Sequence, residues 1–226
     1  MKKFLARLQQ IDWLNYFIEF IIVFLGITIA FYINQRADEQ KSLALEKTYL
    51  QMIHEDLSVD SVENLQIIDF FEQGIANLKK TSRLIGSGQS EDIDSIAYRV
   101  SKLTEPVNYH PDVQTYHSLV ENGEILLISN LDLRRRMAQY YAYYETLDAR
   151  HEEVNTLKRQ KLFAFVSKHY DWTTKKIINP SAFLSIELKN TLYDIHTKEI
   201  QRIHAYRKAS KLADGLRANI SEELEQ

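Results

Sequence analysis

The 226-residue chain has no cysteine, six glycines and three prolines. The lack of cysteine excludes disulfide scaffolds, thiolate metal sites and cysteine nucleophiles, and it leaves the cellular compartment open. Glycine and proline both fall well below their average usage, which indicates long helices with few interruptions. A chain of this length forms one domain of ordinary size, or one domain with a membrane anchor.

The chain also lacks a strong excess of charge. Its 28 Lys and Arg residues stand against 31 Asp and Glu residues, for a net charge of −3. A nucleic-acid-binding protein normally carries a basic patch, so this balance argues against such a partner. The catalytic and phosphate-binding motifs G-x-S-x-G, G-x-x-x-x-G-K and G-x-G-x-x-G after a strand are absent as well. We therefore expect no catalytic activity, no cofactor and no nucleic-acid partner.

One hydrophobic segment lies near the N-terminus. Residues 13–33 read WLNYFIEFIIVFLGITIAFYI and contain a single charge, at Glu19. As a helix they span roughly 31 Å, about the thickness of a bilayer's hydrocarbon core. Aromatic rings, which favour the headgroup level, lie near both ends at Trp13, Tyr16 and Tyr32. We predict a transmembrane helix over residues 13–35, with a buried core helix as the alternative.

Residues 1–12 form a basic, amphipathic arm that contains Lys2, Lys3 and Arg7. A basic region before an apolar segment also occurs in cleaved signal peptides, but here the small-residue cleavage site is faint and the apolar run is long. We therefore predict an uncleaved signal anchor. The numbers of Lys and Arg residues on the two sides of the span are nearly equal. The short N-terminal arm is the easier end to keep in the cytoplasm. The N-terminus is accordingly expected in the cytoplasm, with residues 36–226 outside.

Glu19 needs a specific explanation, because a carboxylate in hydrocarbon is costly and normally faces a bundle interior or water. At 100° per residue, Gly26 and Ala30 lie within about 20° of Glu19, and Asn34 lies about 60° away. Small residues beside a polar group allow membrane helices to pack closely. We predict an intramembrane contact made by these four residues. Snorkelling of Glu19 to the headgroups, chance spacing of the small residues and a proton-handling role are the alternatives.

Residues 36–226 show helical periodicity throughout. Beyond the span, apolar residues recur at three- and four-residue steps as far as Leu78, apart from one skipped turn at Ser61. These predicted core positions are Leu50, Ile53, Leu57, Leu65, Ile68, Phe71, Ile75 and Leu78. The segment Gly86–Ser87–Gly88 predicts the end of this helix, because glycine is favoured just past a helix terminus.

Two more long helices are predicted, one from a cap at Ser129 to about Lys176 and one that begins at Asn179–Pro180. The residues of the last helix that are predicted to face inwards are Leu188, Leu192, Ile195, Ile203, Tyr206, Leu216 and Ile220. Short helices lie between the first and second long helices, with a loop over Thr104–Pro111 and a buried turn at Ile125–Ile128. The fold class is therefore all-α. One N-terminal transmembrane helix continues into an antiparallel bundle of three long and two or three short helices.

Four tyrosines, Tyr140, Tyr141, Tyr143 and Tyr144, crowd one turn of the second long helix. Tyrosine suits interfaces because its ring is apolar and its tip polar, so this turn is a candidate partner or ligand surface. Packing in a wide part of the bundle is the alternative. His151 lies on the apolar stripe of the same helix, and we expect a buried core histidine because nothing else shows ligand spacing with it. We predict no metal site.

Residues 19–34 read EFIIVFLGITIAFYIN and resemble the opening of an uncharacterised family of small bacterial single-pass membrane proteins, which carries the span E-I-I-(apolar)-G-I-x-I-A-x-x-I-N. A later stretch is similar too, at Tyr116, Leu119, Gly123, Leu127–Ile128, Leu133–Arg134 and Tyr140–Tyr141. Such spans often continue Asn-Asn-Trp, whereas Gln35 and Arg36 follow here. The resemblance implies a single-pass protein of the bacterial cytoplasmic membrane. It implies no activity.

These observations lead to one main hypothesis and two alternatives. The main hypothesis is a membrane-anchored helical bundle that acts by association with itself or with another membrane protein. The bundle's anchor is also expected to contact membrane lipid. The first alternative is an extracytoplasmic ligand sensor in which the tyrosine-rich turn lines a pocket. The second is an accessory subunit of a transporter or motor, in which Glu19 couples to protons.

Overall fold

The computed structural model describes residues 13–105 and 113–225, with the backbone alone for Trp13 and Ser90. The fold is all-α with a helical bundle, as predicted. The predicted arm at residues 1–12 and most of the predicted loop Thr104–Pro111 lie outside the described residues. In chain order the elements are α1 (Trp13–Ser87), a 3₁₀ turn (Ser90–Asp92), α2 (Ile93–Leu103), α3 (Gln114–Glu121), a 3₁₀ turn (Glu124–Leu127), α4 (Leu131–Leu157), a π-helical turn (Lys158–Phe163), α5 (Ala164–His169), β1 (Tyr170–Asp171), β2 (Lys176–Ile177), a 3₁₀ turn (Pro180–Leu184) and α6 (Ile186–Leu224).

The chain divides into two compact units, residues 1–49 and 50–226. In the first unit α1 carries the apolar segment, and every described side chain from Leu14 to Ala44 is exposed. Within the described part of the chain, α1 is the one helix long and apolar enough to cross a membrane. Water-soluble monomers rarely expose a contiguous apolar surface of this extent.

In the second unit, contacts between helices define their directions. Asp60 and Phe71 of α1 meet Tyr140 and His151 of α4, so α1 and α4 run parallel. The helix α6 runs antiparallel to both, as the pairs Ser61–Asp214, Glu72–Arg207 and Lys158–Glu199 show. Between α1 and α4 the chain returns through α2, α3 and their connections. The core of the unit therefore lies between α1 and α4, which run parallel, and α6, which runs antiparallel to both.

Most of the predicted core positions are confirmed by their burial. The buried set on α1 comprises Leu50, Ile53, Leu57, Ile68, Phe71 and Leu78, and on α6 it includes Leu188, Leu192, Ile195, Ile203, Tyr206, Leu216 and Ile220. The prediction was wrong at Leu65, which is 61% exposed. At the turn where apolar periodicity lapses, the buried residues are Asp60, Ser61 and Asn64. A polar layer therefore replaces the apolar stripe at this level.

The predicted end of the first long helix is confirmed. The helix α1 ends at Ser87, and Gly88 follows with φ 67°. This left-handed conformation is readily adopted by glycine and disfavoured by other residues. The helix is also continuous through Ser58–Asp60. The polar layer therefore forms without a break in the backbone.

The predicted helix to Lys176 is wrong in its last part, because helix ends at His169 and a short hairpin follows. The side chain of Asp171 accepts hydrogen bonds from the backbone N–H groups of Thr173 and Thr174, at 2.8 and 3.2 Å. Lys175 then adopts a left-handed φ of 55°. An aspartate side chain that accepts hydrogen bonds from the backbone N–H groups two and three residues later favours a turn over a helix.

Three further details differ from the sequence predictions. The cap of α4 is Asn130 and not Ser129, since its side chain accepts from the N–H of Leu133 at 3.1 Å. The last long helix begins at Ile186 behind a Ser185 cap, because Asn179–Pro180 opens a separate 3₁₀ turn. In the turn predicted to be buried, Ile128 is buried but Leu126 is 71% exposed.

Candidate functional site

The predicted intramembrane contact lies on an open helix surface. Glu19, Gly26, Ala30 and Asn34 are all exposed in the first unit. A Cβ atom added to Gly26 would meet nothing within 4 Å. Glycine in a helix interior destabilises it by roughly 0.5–1 kcal/mol relative to alanine, and no described neighbour requires the small residue. The geometry leaves room for a second helix at this face.

The tyrosine-rich turn is placed in the core of the second unit. Tyr140, Tyr141 and Tyr144 are 1–5% exposed, and only Tyr143 is half-buried, beneath the ammonium of Lys208. Three of the four rings therefore cannot touch a partner as they stand. The interpretation of this turn as a partner or ligand surface stays a prediction, and the observed burial favours packing for those three rings.

Two of these tyrosines belong to a hydrogen-bond chain that ends on a buried carboxylate. The Tyr140 hydroxyl donates to Oδ2 of Asp60 at 2.9 Å. Having donated its proton there, it accepts from the Tyr144 hydroxyl, 2.7 Å away. The Tyr144 oxygen in turn accepts from Nδ2 of Asn64 at 3.2 Å. Each member thus donates toward Asp60, which offsets the cost of burying polar groups in this layer.

This hydrogen-bond chain makes the stability of the fold sensitive to high pH. Burial, followed by the negative charge of Asp60, raises the pKa of Tyr144 to about 12. Burial, followed by the neighbouring Tyr144 and Asp60, also raises the pKa of Tyr140, to a still higher value. Unfolded tyrosines ionise near pH 10. A group whose pKa is higher in the folded state stabilises the fold fully below the unfolded pKa and loses that contribution as pH rises. Stability should therefore decline as pH rises above about 10, and Tyr144 contributes to this decline up to about pH 12.

The substitution Tyr144→Phe tests this dependence. It removes one group that ionises only on unfolding, so the fall in unfolding free energy above pH 10 should become shallower by about 1.4 kcal/mol per pH unit. Urea unfolding of the full chain in detergent, followed by far-UV circular dichroism at several pH values, measures the slope. Tyr193→Phe, at a ring that is 69% exposed, is the matched control and should keep the wild-type slope. Equal slopes in Tyr144→Phe and wild type would contradict the prediction.

A buried charged cluster, which the sequence analysis missed, lies between α4 and α6. The Lys158 ammonium, on the first residue of the π-helical turn, is 2.9 Å from Oε1 of Glu199. Arg202, one turn further on α6, donates from Nη2 to the other oxygen, Oε2. The three side chains are 0–8% exposed. One carboxylate is therefore shared by two cations in the interior.

The Arg202 guanidinium is only partly satisfied. Its carbon Cζ lies 3.6 Å from the ring centroid of Phe71, a cation–π contact that desolvation strengthens. Among the described residues, its Nε and Nη1 atoms have no hydrogen-bond partner. Glu199 is likewise the one carboxylate in the described part of the chain that pairs with Lys158 or Arg202. The cluster of Lys158, Glu199 and Arg202, called here the charged triad, therefore carries one net positive charge.

His151 is 5% exposed, which confirms the prediction of a core histidine. Its Nδ1 lies 3.4 Å from the hydroxyl of Tyr206, beside the ring of Phe71. Within residues 13–105 and 113–225, no group of three acidic or histidine side chains has the arrangement of a metal site.

The sequence contains a signal for the charged triad, because Glu199 and Arg202 lie in phase with the apolar face of α6.

Together, the fold and the exposed segment define a helical-bundle protein in which the described residues contain one helix long and apolar enough to span a membrane. Comparison of the chain with protein-family models, with curated proteins and with solved structures gives no match. The resemblance of residues 19–34 to a family of bacterial single-pass proteins therefore stays a prediction.

Proposed function

We propose that the protein is a single-pass membrane-anchored helical bundle that acts by association with a second copy or with another membrane protein. In this proposal residues 13–35 cross the bacterial cytoplasmic membrane, the N-terminus lies in the cytoplasm and residues 36–226 lie outside. The contact is made by the span face that contains Glu19, Gly26, Ala30 and Asn34. No catalytic step is part of the proposed function.

The observation that carries the proposal is the uncovered apolar surface of α1. The large apolar side chains from Leu14 to Ile33 are 36–69% exposed, although aliphatic and aromatic groups of this kind are normally buried in a folded protein. A bilayer covers such a surface, and 20 apolar residues suffice to cross it. The carboxylate of Glu19 then favours a protein neighbour over lipid, since polar groups within a membrane normally face other helices or water.

The absence of cysteine allows a direct test of association. The variant Ala37→Cys places one thiol just beyond the span, about 20° from Gly26 around the helix axis. In bilayers, oxidation should crosslink this reporter into a disulfide dimer. Adding Gly26→Leu should abolish the crosslink, because a leucine on the contact face prevents close approach of two backbones. The measurement is the dimer fraction on non-reducing gels at several lipid-to-protein ratios.

Thr28→Leu is the matched control for this experiment. Thr28 lies about 200° from Gly26 around the helix, and its hydroxyl bonds only the carbonyl oxygen of Phe24 within its own helix, at 2.8 Å. The same leucine at this position should leave the dimer fraction unchanged. Two results would contradict self-association through this face. The first is an equal dimer fraction with glycine and with leucine at position 26. The second is a dimer fraction that merely follows the concentration of protein in the lipid. A crosslinked band of another mass would instead indicate a second membrane protein.

A further inference from the structure

A cleft opens beside the charged triad in the second unit. Its volume is about 390 Å³, within the range of about 300–1,000 Å³ that is typical of small-molecule sites. Apolar walls and a few convergent polar groups are the usual composition of such sites. The apolar part of its lining comes from Phe70, Phe71, Leu78 and Leu103. Its polar part includes Gln73, Asn77 and the buried Lys158 and Glu199.

The charge of the cleft favours an anion. Of the two cations in the triad, Arg202 lies against the ring of Phe71 and does not line the cleft, whereas Lys158 does. Both share the single carboxylate of Glu199. At the rim, Lys102 and Glu105 pair with each other at 3.0 Å, so they add no net charge. The triad, two of whose members line the cleft, therefore carries one positive charge more than its single carboxylate compensates, and a buried charge without its own partner is costly.

Gly74 supplies the open space. This residue lines the cleft from the middle of α1, without a left-handed φ, and a Cβ atom added to it would meet nothing within 4 Å. Neither backbone conformation nor a close neighbour therefore explains glycine at this position. A larger side chain here would extend into the cleft, so the glycine keeps the cleft open.

The backbone beside the cleft is also unusual. Lys158 is the first residue of a six-residue π-helical turn within an otherwise α-helical run. Such turns are rare and occur frequently at functional sites. Here the turn coincides with the one lysine that the structure buries against Glu199.

We propose that this cleft binds a small organic monoanion, a carboxylate with an apolar body, whose charge pairs with the Lys158 ammonium. The apolar body occupies the space beside Gly74 and contacts the side chains of Phe70 and Leu103. The bound carboxylate gives the triad a second negative partner, so that each cation has one. This proposal is independent of the proposed association through the span.

The test uses the full chain in lipid nanodiscs, with phenylacetate as the probe and its neutral amide, phenylacetamide, as the matched ligand. Ligand-observed NMR titration should give saturable binding of phenylacetate and much weaker binding of the amide. Lys158→Met should weaken phenylacetate binding about 10- to 100-fold, the value of a hydrogen bond to a charged group. This variant keeps the Glu199–Arg202 pair, which is neutral by itself.

A second pair of variants tests the space independently of the charge. Gly74→Leu should abolish binding, whereas Gly74→Ala should retain it, because the alanine Cβ fits without contact. Far-UV circular dichroism confirms that each variant is folded. The proposal is overturned if wild-type protein shows no saturable binding of phenylacetate, if acid and amide bind equally, or if folded Lys158→Met and Gly74→Leu both bind as wild type does. Selective binding of phenethylammonium would overturn it as well, since the cleft would then prefer a cation.

Discussion

Replacement of Glu199 by glutamine is expected to lower the free energy of unfolding by about 3–5 kcal/mol, the largest stability effect that the described contacts imply. Glutamine keeps the size of the side chain but removes its charge, and its single oxygen accepts from only one of the two cations. Lys158 and Arg202 would then be buried without a counter-charge, at 8% and 0% exposure. Urea unfolding of the full chain in detergent, monitored by far-UV circular dichroism, measures the loss.

Glu72→Gln is the matched control. Glu72 also pairs with an arginine on α6, Arg207, but both side chains are about half exposed. Exposed ion pairs contribute roughly 0–1 kcal/mol, so this variant should unfold close to wild type. A loss below about 1 kcal/mol in Glu199→Gln would show that water or an unrecognised group already compensates the triad, and would contradict its description as a buried shared carboxylate.

A double substitution separates lost charge from altered shape. Adding Lys158→Met to Glu199→Gln removes one of the two unpaired cations and restores the net charge of the wild-type triad. The double variant should therefore be more stable than Glu199→Gln alone. Residues in one ion-pair network are expected to be non-additive by about 0.5–3 kcal/mol. Additive losses would indicate a packing defect in place of an electrostatic one.

Placing two arginines in the middle of the span is expected to prevent its stable insertion. In Phe24→Arg/Leu25→Arg, each arginine costs about 2.5–3.5 kcal/mol at the centre of a membrane helix, and each replaces a residue that favours insertion by about 0.3–0.6 kcal/mol. The combined change of about 6–8 kcal/mol should move the chain from the membrane fraction to the supernatant. Ultracentrifugation after alkaline extraction, without detergent, measures the distribution.

Leu43→Arg/Ala44→Arg is the matched control for this prediction, because it adds the same charge to exposed positions of the same helix beyond the span. It should sediment with the membrane as wild type does. Wild-type chain in the supernatant without detergent would refute the membrane anchor. So would retention of the doubly substituted span in the alkali-resistant pellet.

The sequence predicts those features that depend on local and periodic signals. A run of apolar residues identifies α1 as a candidate span, and three- and four-residue spacing identifies the core faces of α1 and α6. Gly88 could be recognised as a helix terminus because glycine adopts a φ near 67° at less cost than other residues. In each case a single element carries the information.

The polar interior could not be predicted in the same way, because its stability depends on partners that lie far apart in sequence. The lapse in periodicity at Ser61 indicated a weak point in the apolar stripe. Its actual content, Asp60 and Asn64 bonded to tyrosines of α4, depends on the parallel arrangement of α1 and α4. From sequence, the tyrosine-rich turn that contains Tyr140 and Tyr144 was open to two interpretations, a partner surface or packing in the bundle, and the structure buries both residues.

The burial of the two α6 members of the charged triad could have been predicted from their spacing. Glu199 and Arg202 lie four and seven residues after the buried Ile195, so both are in phase with the core. Charged residues are seldom fully buried without a partner, and Lys158 lies 41 positions earlier in the chain. Only the antiparallel packing of α4 and α6 brings the lysine to them.

The arrangement of the helices sets the order in which the second unit can be completed during synthesis. Ser221 near the C-terminus contacts His54, 167 positions earlier. His54 of α1 is therefore synthesised well before the residue of α6 that it contacts. At about 5–20 residues per second, the interval is on the order of ten seconds or more. The buried Ile53 and Leu57 of α1 are accordingly made before the second unit can be completed, and shielding by a chaperone in that interval is the expected requirement.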